Sequence, residues 1–371
     1  MRHRRRLGKG LLAAAGIGLG MLAREALLRR READLRGQVA LVTGGSRGLG
    51  YLLAREFGRQ GCRLAICARD AAELERAGAD LAAQGFEVFA APCDVGDRDE
   101  VAGLVAAATG RFGRVDILVN NAGVIQAGPI DSQTEDDFRE AMDVMFWGVL
   151  YPTLAVLPQM RARRSGRIVN VTSVGGKVAA PHLVPYDCAK FAAVALLEGL
   201  RAELAREGIT VTTIAPGLMR TVSALNAIFK GPKRAEFTAF TILGTMPFIS
   251  MDAERAARQI VEATRCGEAE RILGLPANLL ARCHSLFPGT TADVLGVVNR
   301  VLPHGDDTAR ARGMELHEQV RSPLLDQLMG WTLSAARRFH EYPGPVTAGP
   351  QAAPDVRRPA TPDAVPRPLA S

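Results

Sequence analysis

From residue 38 to residue 274, short apolar segments alternate with longer segments that have a helical pattern. The apolar segments are continuous, which is typical of parallel strands covered on both faces. Seven strands are predicted, at 38–42, 63–67, 87–91, 117–120, 167–171, 210–215 and 271–274. Six helices are predicted between them, at 49–60, 71–84, 98–112, 136–160, 186–207 and 252–265. The alternation predicts an α/β fold with a doubly wound parallel sheet.

Two of the predicted helices begin with a capping pattern. Asp70 is followed three positions later by Glu73, and Thr134 is followed at the same spacing by Asp137. At a helix start, such a pair satisfies backbone N–H groups that have no partner inside the helix. Both pairs therefore mark where a helix begins.

The regular pattern is lost between residues 218 and 250, although the segment is rich in large apolar residues. A long insertion at the edge of a sheet where ligands bind is often a lid or a substrate loop. Its apolar content favours an apolar substrate. The alternative is that these residues only pack the lid onto the domain.

The remaining C-terminal sequence divides into two parts. Residues 276–342 carry helical patterns at 276–287, 292–302 and 314–339, which predicts a helical extension of the domain at 37–275. Residues 343–371 contain eight prolines and few large apolar groups, so we expect this tail to be disordered.

Residues 1–36 combine basic clusters with an apolar run at 10–28. As a helix this run would be roughly 28 Å long, close to the ~30 Å hydrocarbon core of a bilayer. We interpret it as an uncleaved membrane anchor or interfacial helix, with a disordered tail as the alternative and a secretory signal less favoured. The protein is then membrane-associated, with its catalytic domain in the cytoplasm.

The formal net charge of +7 is concentrated near this N-terminus. A basic cluster beside an apolar run favours a membrane surface, and no nucleic-acid-binding motif supports the other interpretation. The six cysteines show neither C-x-x-C spacing nor a nearby histidine cluster, which predicts reduced thiols and no metal site.

A glycine-rich turn, Thr43-Gly44-Gly45-Ser46-Arg47-Gly48-Leu49-Gly50, joins the first strand to the first helix. Such a turn lets the backbone approach a pyrophosphate, and the helix N-terminus supplies unpaired N–H groups for the anion. Taken alone, this motif also fits an ordinary flexible turn.

A second constellation consists of Ser173, at the end of the fifth strand, and Tyr186 with Lys190. Tyr186 and Lys190 are four positions apart on a helix, so they project from one face. An ammonium near a phenol lowers the phenol's pKa from about 10, which would allow proton exchange with a carbonyl oxygen. A serine hydroxyl beside it would hold that oxygen.

These residues resemble those of the classical short-chain dehydrogenase/reductase family over residues 38–275, whose fold is a Rossmann-type doubly wound sheet. The matching positions are Thr43-Gly44-x-x-x-Gly48-x-Gly50, Asp94, Asn120-Asn121-Ala122-Gly123, Ser173, Tyr186-x-x-x-Lys190, Pro216-Gly217 and Thr221. The resemblance implies that Tyr186 is the acid/base and Ser173 positions the substrate oxygen. It implies that Lys190 binds the nicotinamide ribose and lowers the pKa of Tyr186.

The resemblance also implies the remaining cofactor contacts. Asp94 would contact the adenine, Asn121 would hold the fourth strand beside the cofactor, and Pro216-Gly217 and Thr221 would lie against the carboxamide. The implied cofactor-binding set is Thr43, Gly44, Ser46, Arg47, Gly48, Leu49, Gly50, Arg69, Asp94, Val95, Asn121, Ala122, Gly123, Tyr186, Lys190, Pro216, Gly217 and Thr221.

The choice of nicotinamide cofactor is argued from charge. NAD enzymes use an acidic group after the second strand, whereas NADP enzymes place arginine near the 2′-phosphate. Arg69 follows the second strand and Arg47 lies in the glycine turn, so two arginines could bind one phosphate. Asp70 is the candidate NAD acid, but helix capping explains it equally well. We therefore predict NADP(H).

One position departs from the family pattern. The family's usual asparagine in the helix at 136–160, which supports a kink holding a water next to the lysine, is Met145 here. Methionine cannot donate a hydrogen bond. A slower proton relay is one expectation; completion of the kink by another residue is the other.

The sequence therefore predicts an NADP(H)-dependent oxidoreductase that interconverts a carbonyl and an alcohol on an apolar substrate. The alternative is a membrane-associated scaffold or redox sensor that binds the cofactor with little turnover. By analogy with the family, the helices at 136–160 and 186–207 would form the faces of a homo-oligomer.

Overall fold

The computed structural model describes residues 32–221, 223–246 and 249–320. Most of the predicted N-terminal anchor, most of the third C-terminal helix and the proline-rich tail lie outside these residues. All six cysteines lie within them and are free thiols.

The central sheet has seven parallel strands in the spatial order β7-β6-β5-β4-β1-β2-β3. The strands are β1 (Val39–Thr43), β2 (Arg63–Ala68), β3 (Val88–Pro92), β4 (Ile117–Asn120), β5 (Gly166–Val171), β6 (Ile209–Pro216) and β7 (Glu270–Leu273). Every predicted strand is present, and the doubly wound fold predicted from the alternation is confirmed. The carboxyl ends of β1, β4 and β5 lie side by side, which defines the edge where a ligand is expected.

Helices cover both faces of this sheet. The helices of the described chain, including those outside the sheet layers, are α1 (Gly48–Arg59), α2 (Ala71–Ala83), α3 (Arg98–Phe112), α4 (Glu135–Met142), α5 (Gly148–Ala162), α6 (Val184–Leu204), α7 (Lys233–Thr245), α8 (Ala253–Arg265), α9 (Leu275–Leu286), α10 (Pro288–Asn299) and α11 (Gly313–Gln319), with a four-residue helical turn at Ser223–Asn226. Alternate residues of β1 face opposite layers. Ala40 and Val42 join the cluster under α1 and α8, whereas Val39 and Leu41 join the cluster under α3, α5 and α6.

The two capping patterns form as predicted. The Asp70 carboxylate accepts a 2.8 Å hydrogen bond from the Glu73 amide at the start of α2. Thr134 and Asp137 form a reciprocal capping box at the start of α4. In both cases an orphan donor of the first turn is satisfied, which fixes where the helix begins.

The helix predicted at 136–160 is interrupted. A π-helical turn, Asp143–Trp147, separates α4 from α5 and has Met145 at its centre. Single π turns inside α-helices change the direction of the side chains that follow and are frequent at functional sites. Together these segments, Glu135–Ala162, are long and apolar enough to cross a membrane, but half of their most apolar part is buried against the domain, as in a core helix.

The segment at 218–250 is more regular than its sequence indicates, because it contains the thirteen-residue helix α7. The predicted irregularity was wrong here. The pattern was missed because α7 buries only Glu236, Phe237 and Thr241, so it has no continuous apolar stripe. We call residues 218–250 the lid.

The end of the C-terminal extension packs on the lid. Strand Ala311–Arg312 pairs antiparallel with Ile228–Phe229, which also pairs with Gln126–Ala127. Leu316 of α11 joins the buried cluster formed by Leu225, Phe229 and Phe237. Residues far apart in the chain therefore fix the lid from both sides.

Candidate active site

The glycine turn brings the backbone of β1 close to the start of α1. Gly44 and Gly48 have φ values of +64° and +55°, a region that favours glycine. A Cβ on Gly50 would collide with the Gly44 carbonyl oxygen and would lie 2.5 Å from the Asn121 amide nitrogen. The chain at this point accepts only glycine, and α1 begins at Gly48 without a side-chain cap from Arg47. The first N–H groups of a helix have no partner within it and can bind an anion. This geometry fits a pyrophosphate cradle.

Thr43 and Asn121 connect the ends of β1 and β4. The Thr43 hydroxyl accepts hydrogen bonds from the amides of Asn121 (3.0 Å) and Ala122 (3.2 Å). The Asn121 side chain donates to the carbonyl oxygens of Thr43 (3.1 Å) and Gly44 (3.2 Å). The polar atoms of Thr43 and Asn121 thus hold the glycine turn against the neighbouring strand.

The two arginines considered for the 2′-phosphate differ in their surroundings. Arg47 makes an ion pair with Glu73 at 2.9 Å. The exposed Arg69 side chain has no hydrogen bond or ion pair to any described residue. Asp70 is occupied with capping α2. At the end of β2, the group available for an anion is therefore Arg69.

Asp94 and Val95 follow β3 at the same edge. The Asp94 carboxylate accepts a 2.9 Å hydrogen bond from the Gly96 amide, and its own amide donates to Glu100. Val95 is buried and joins the cluster under α3 and α5. The Asp94 loop is thereby fixed next to the strand ends.

Ser173 and Tyr186 meet above the end of β5. The Ser173 hydroxyl accepts a 3.0 Å hydrogen bond from the Gly175 amide and is also hydrogen-bonded to Tyr186. Burial raises the pKa of Tyr186 to about 12, with the bond from Ser173 acting in the opposite direction. The phenol therefore carries its proton at neutral pH.

Lys190 lies in the same cluster, one turn after Tyr186 on α6. Its Nζ donates a 3.1 Å hydrogen bond to the Val171 carbonyl oxygen and lies 5.6 Å from the centroid of the Tyr186 ring. Burial lowers the pKa of Lys190 to about 8. Burial is the largest influence on the pKa of both groups, and for Tyr186 it acts against the lowering expected from a neighbouring ammonium. The expectation that Lys190 lowers the pKa of Tyr186 stays a prediction.

The structure adds a buried carboxyl group beside this cluster. Asp187 accepts a 2.7 Å hydrogen bond from the Ala180 amide, and its second oxygen is buried without a described partner. Burial raises its pKa to about 8. Asp187 holds the loop between Ser173 and Tyr186 close to α6, a role that the sequence motif did not reveal.

Met145 faces Lys190 across Gly123. A Cβ on Gly123 would lie 3.7 Å from the Met145 sulfur and 3.7 Å from the Lys190 Nζ. Met145 itself is buried, and the helix turns at this point through its π-helical backbone. The helix therefore changes direction through a π-helical turn that has methionine where the family has asparagine. The two expectations for this position, a slower proton relay and completion of the kink by another residue, stay predictions.

The last predicted cofactor contacts follow β6. The Gly217 amide donates a 2.9 Å hydrogen bond to Leu273 of β7, and a Cβ on Gly217 would lie 2.8 Å from the Ala277 Cβ. Thr221 bonds within its own loop, through its amide to Met219 and its hydroxyl to the Ser223 amide. Ser46 and Leu49 of the glycine turn are buried, whereas Ala122 is half-buried and Gly123 is exposed.

Two buried pairs of polar side chains connect the lid to other parts of the domain, and the sequence analysis did not predict either of them. His182 Nδ1 lies 2.6 Å from a Glu236 carboxylate oxygen, which joins the loop before Tyr186 to α7. Lys230 makes an ion pair with Asp137, and both side chains are 2% exposed. Their separations of 54 and 93 residues leave no local pattern that could have predicted them.

Comparison with known proteins identifies the family to which this chain belongs. A family model described as short chain dehydrogenase matches residues 38–228. The chain belongs to the short-chain dehydrogenase family.

Individual members of the family show the extent of the likeness. A cattle (Bos taurus) protein named dehydrogenase/reductase SDR family member 7B is 33% identical over 282 residues, covering 74% of this chain and 85% of that protein. An Anopheles gambiae protein named dehydrogenase/reductase SDR family protein 7-like is 38% identical over 225 residues, covering 59% and 71%. The crystal structure of an actinorhodin polyketide ketoreductase variant with NADPH matches with a TM-score of 0.57 and 31% identity, covering 64% of this chain and 95% of that one. The chain is thus an oxidoreductase of this family that acts on a carbonyl/alcohol pair.

Proposed function

We propose that this protein is an NADP(H)-dependent reductase of a carbonyl group on an apolar substrate. The observation that carries the proposal is the cluster of Ser173, Tyr186 and Lys190 beside the glycine cradle at one edge of the sheet. A phenol that stays protonated at neutral pH favours reduction, because reduction needs a proton donor at the substrate oxygen.

The residues of the chain have separate roles in this reaction. When bound, the nicotinamide supplies a hydride to the carbonyl carbon. The Ser173 hydroxyl holds the substrate oxygen, and Tyr186 transfers its phenolic proton to that oxygen. The Lys190 ammonium favours the phenolate that forms as the proton leaves. The turn at Thr43–Gly50 would hold the pyrophosphate, Asp94 would contact the adenine, and Asn121 would hold the end of β4 beside the cofactor.

The preference for NADP(H) rests on the arginine at the end of β2. Arg69 has no described partner, while the nearby carboxylate of Asp70 is committed to capping α2. Arg47 would exchange its exposed ion pair with Glu73 for the 2′-phosphate. The related ketoreductase crystallised with NADPH supports the same choice.

Replacing Arg69 tests this preference. In Arg69→Ala the KM for NADPH should rise by about tenfold or more, since a charge-assisted bond to phosphate contributes on the order of 1.5–3 kcal/mol. The KM for NADH should change little. Arg76→Ala, an exposed arginine on α2, is the matched control and should leave both constants unaltered. If KM rose equally for both cofactors, Arg69 would not be the residue that binds the 2′-phosphate.

The apolar substrate is inferred from the lid. Leu243 and Met246, at the end of α7, and Ile249 just after it remain exposed, although other apolar lid residues pack among themselves. These three side chains offer an apolar surface to a substrate entering under the lid. Turnover of a panel of aldehydes and ketones with increasing alkyl length tests this, and a preference for short polar carbonyl compounds would contradict it.

We also propose that residues 1–31 attach the protein to a membrane and that the catalytic domain lies in the cytoplasm. This part of the proposal rests on the basic and apolar sequence of the segment. A homo-oligomer through α5 and α6 is proposed as well, since Leu154 and Phe191 leave exposed apolar surface on these helices.

A further inference from the structure

Helices α9 and α10, with the residues that follow to Val301, carry an unusual amount of exposed apolar surface. We call residues 275–301 the apolar hairpin. Of the sixteen large apolar residues that are exposed in the described chain, nine belong to it: Leu275, Leu279, Leu280, Leu286, Phe287, Val294, Val297, Val298 and Val301. An apolar surface of this density marks an interaction site.

Helix α10 is stabilised little by packing against the rest of the described chain. None of its twelve residues is buried. Since most of the stability of a short helix comes from packing its apolar face, α10 needs a cover on the side away from α9.

The exposed residues of α9 share one face. Leu275, Leu279, Cys283 and Leu286 follow the spacing of one helical stripe, and all four are exposed. The hairpin contains two arginines, Arg282 and Arg300, and one acidic residue, Asp293. A leucine-rich stripe with flanking arginines has the chemistry of a helix that lies in a bilayer interface.

The position of the hairpin relative to the N-terminal segment favours the same partner. The described chain begins at Glu32, whose carboxylate pairs with Arg265 at 3.1 Å, and the Ala33 amide donates to the Arg265 carbonyl. Glu268 follows Arg265 by three residues in the sequence. It lines a cavity together with Arg282 and Ser285 from the last turns of α9. The described chain therefore begins at the corner where α9 ends, and the basic and apolar residues 1–31 directly precede that point in the sequence.

We propose that the apolar hairpin docks on an anionic lipid bilayer and is a second membrane contact beside residues 1–31. The stripe on α9 and the exposed face of α10 enter the interface, and Arg282 and Arg300 bind lipid headgroups. The N-terminal end of α9 packs against Gly217, next to the proposed cofactor site. Docking would thus bring the lid edge of the site to the membrane surface, from which an apolar substrate can enter. The docking itself does not depend on the proposed reductase activity.

Two native thiols allow a direct test in the full chain. Cys283 lies in the apolar stripe and Cys188 is exposed on α6. The protein is reconstituted on vesicles of phosphatidylcholine and phosphatidylserine, and each thiol is reacted with a membrane-impermeant maleimide. Because burial of one leucine corresponds to at least about a factor of ten in the docked-to-free ratio, we expect Cys283 to react about tenfold more slowly than in a charged variant.

The charged variant is Leu279→Glu/Leu286→Glu, in which residues 1–31 still hold the chain on the vesicle. Its Cys283 should react faster by that factor while Cys188 reacts as in the parent chain. Ile130→Glu, another exposed apolar residue far from the hairpin in the sequence, is the matched control and should leave Cys283 shielded. NADPH turnover of a water-soluble carbonyl compound on the same samples reports whether each variant is folded.

Two results would overturn the proposal. One is a Cys283 that reacts equally fast in the parent chain and in the charged variant on vesicles. The other is a Cys283 that is equally shielded without vesicles. If that shielding falls on dilution, a second copy covers the hairpin; if it does not, another part of the same chain covers it.

Discussion

At the scale of residues, two buried titrating groups control the proposed proton transfer. Tyr186 gives a proton to the substrate oxygen, and Lys190 stabilises the phenolate that remains. Burial moves the two pKa values in opposite directions, to about 12 for Tyr186 and about 8 for Lys190. In both cases the neutral form is favoured, since a charge is costly away from water.

The pH profile of carbonyl reduction follows from these values. Below about pH 8 Lys190 carries its charge and Tyr186 its proton, so the rate should be nearly constant from pH 6 to about pH 8. Above that pH the ammonium is lost, and the rate should fall as pH rises. Steady-state kcat measured between pH 6 and pH 10 checks this. A rate that increases through pH 8 would contradict the role of the lysine charge.

The placement of Tyr186 and Lys190 was predictable from the sequence, but the directions in which their pKa values shift were not. The four-residue spacing of Tyr186 and Lys190 places both on one helix face from sequence alone. Their pKa directions depend on how deeply Tyr186 and Lys190 are buried and, for Tyr186, on the Ser173 hydrogen bond. Those features arise from tertiary packing.

At the scale of elements, the π turn and the lid show where local patterns reach their limit. Seven strands and six helices were predictable because each strand is a continuous apolar run and each helix follows a local period. Met145 raised doubt about the helix kink because the family forms it with asparagine, yet the backbone turns there as a π segment. Helix α7 was missed because most of its residues remain partly exposed.

The buried pair of Lys230 and Asp137 is the element-scale feature with the clearest energetic consequence. Lys230→Met leaves the Asp137 carboxylate in an interior site without its ammonium partner. The free energy of unfolding should fall by about 3–5 kcal/mol, the usual cost of removing one member of a buried pair. Urea unfolding measures this change.

The control for this prediction is three residues away. Lys233 pairs with Asp307, whose side chain is 57% exposed. Lys233→Met should therefore cost less than about 1 kcal/mol. Equal effects of the two substitutions would show that the burial of Lys230 does not determine its contribution.

At the scale of the whole molecule, residues distant in the chain complete the lid and meet the N-terminal segment. The strand at Ala311–Arg312 adds to Ile228–Phe229, and Glu32 pairs with Arg265. The sequence predicted a helical extension after the sheet domain, but it could not show that the extension returns to the lid. Pairing between such distant segments leaves no local period in the sequence.

Removing residues 1–31 tests the membrane attachment. Leu35 is buried in the core and its carbonyl oxygen accepts a bond from the Cys62 thiol, so the truncation ends before Glu32. The truncated chain should lose most of its membrane-bound fraction while its affinity for NADPH stays within about twofold, since the cradle is intact. Fractionation on a density gradient measures the first quantity and cofactor fluorescence the second. A truncated chain that remains bound through the apolar hairpin alone would show residues 1–31 to be dispensable.

The central claim is that this molecule reduces a carbonyl group with Tyr186 as the proton donor. The most direct measurement is carbonyl-dependent NADPH oxidation by the full chain and by Tyr186→Phe, with the alcohol product quantified. The account predicts that Tyr186→Phe binds NADPH normally and loses at least about a hundredfold in kcat, as expected when a general acid is removed. Alcohol formation by Tyr186→Phe at a rate close to that of the parent chain would contradict it.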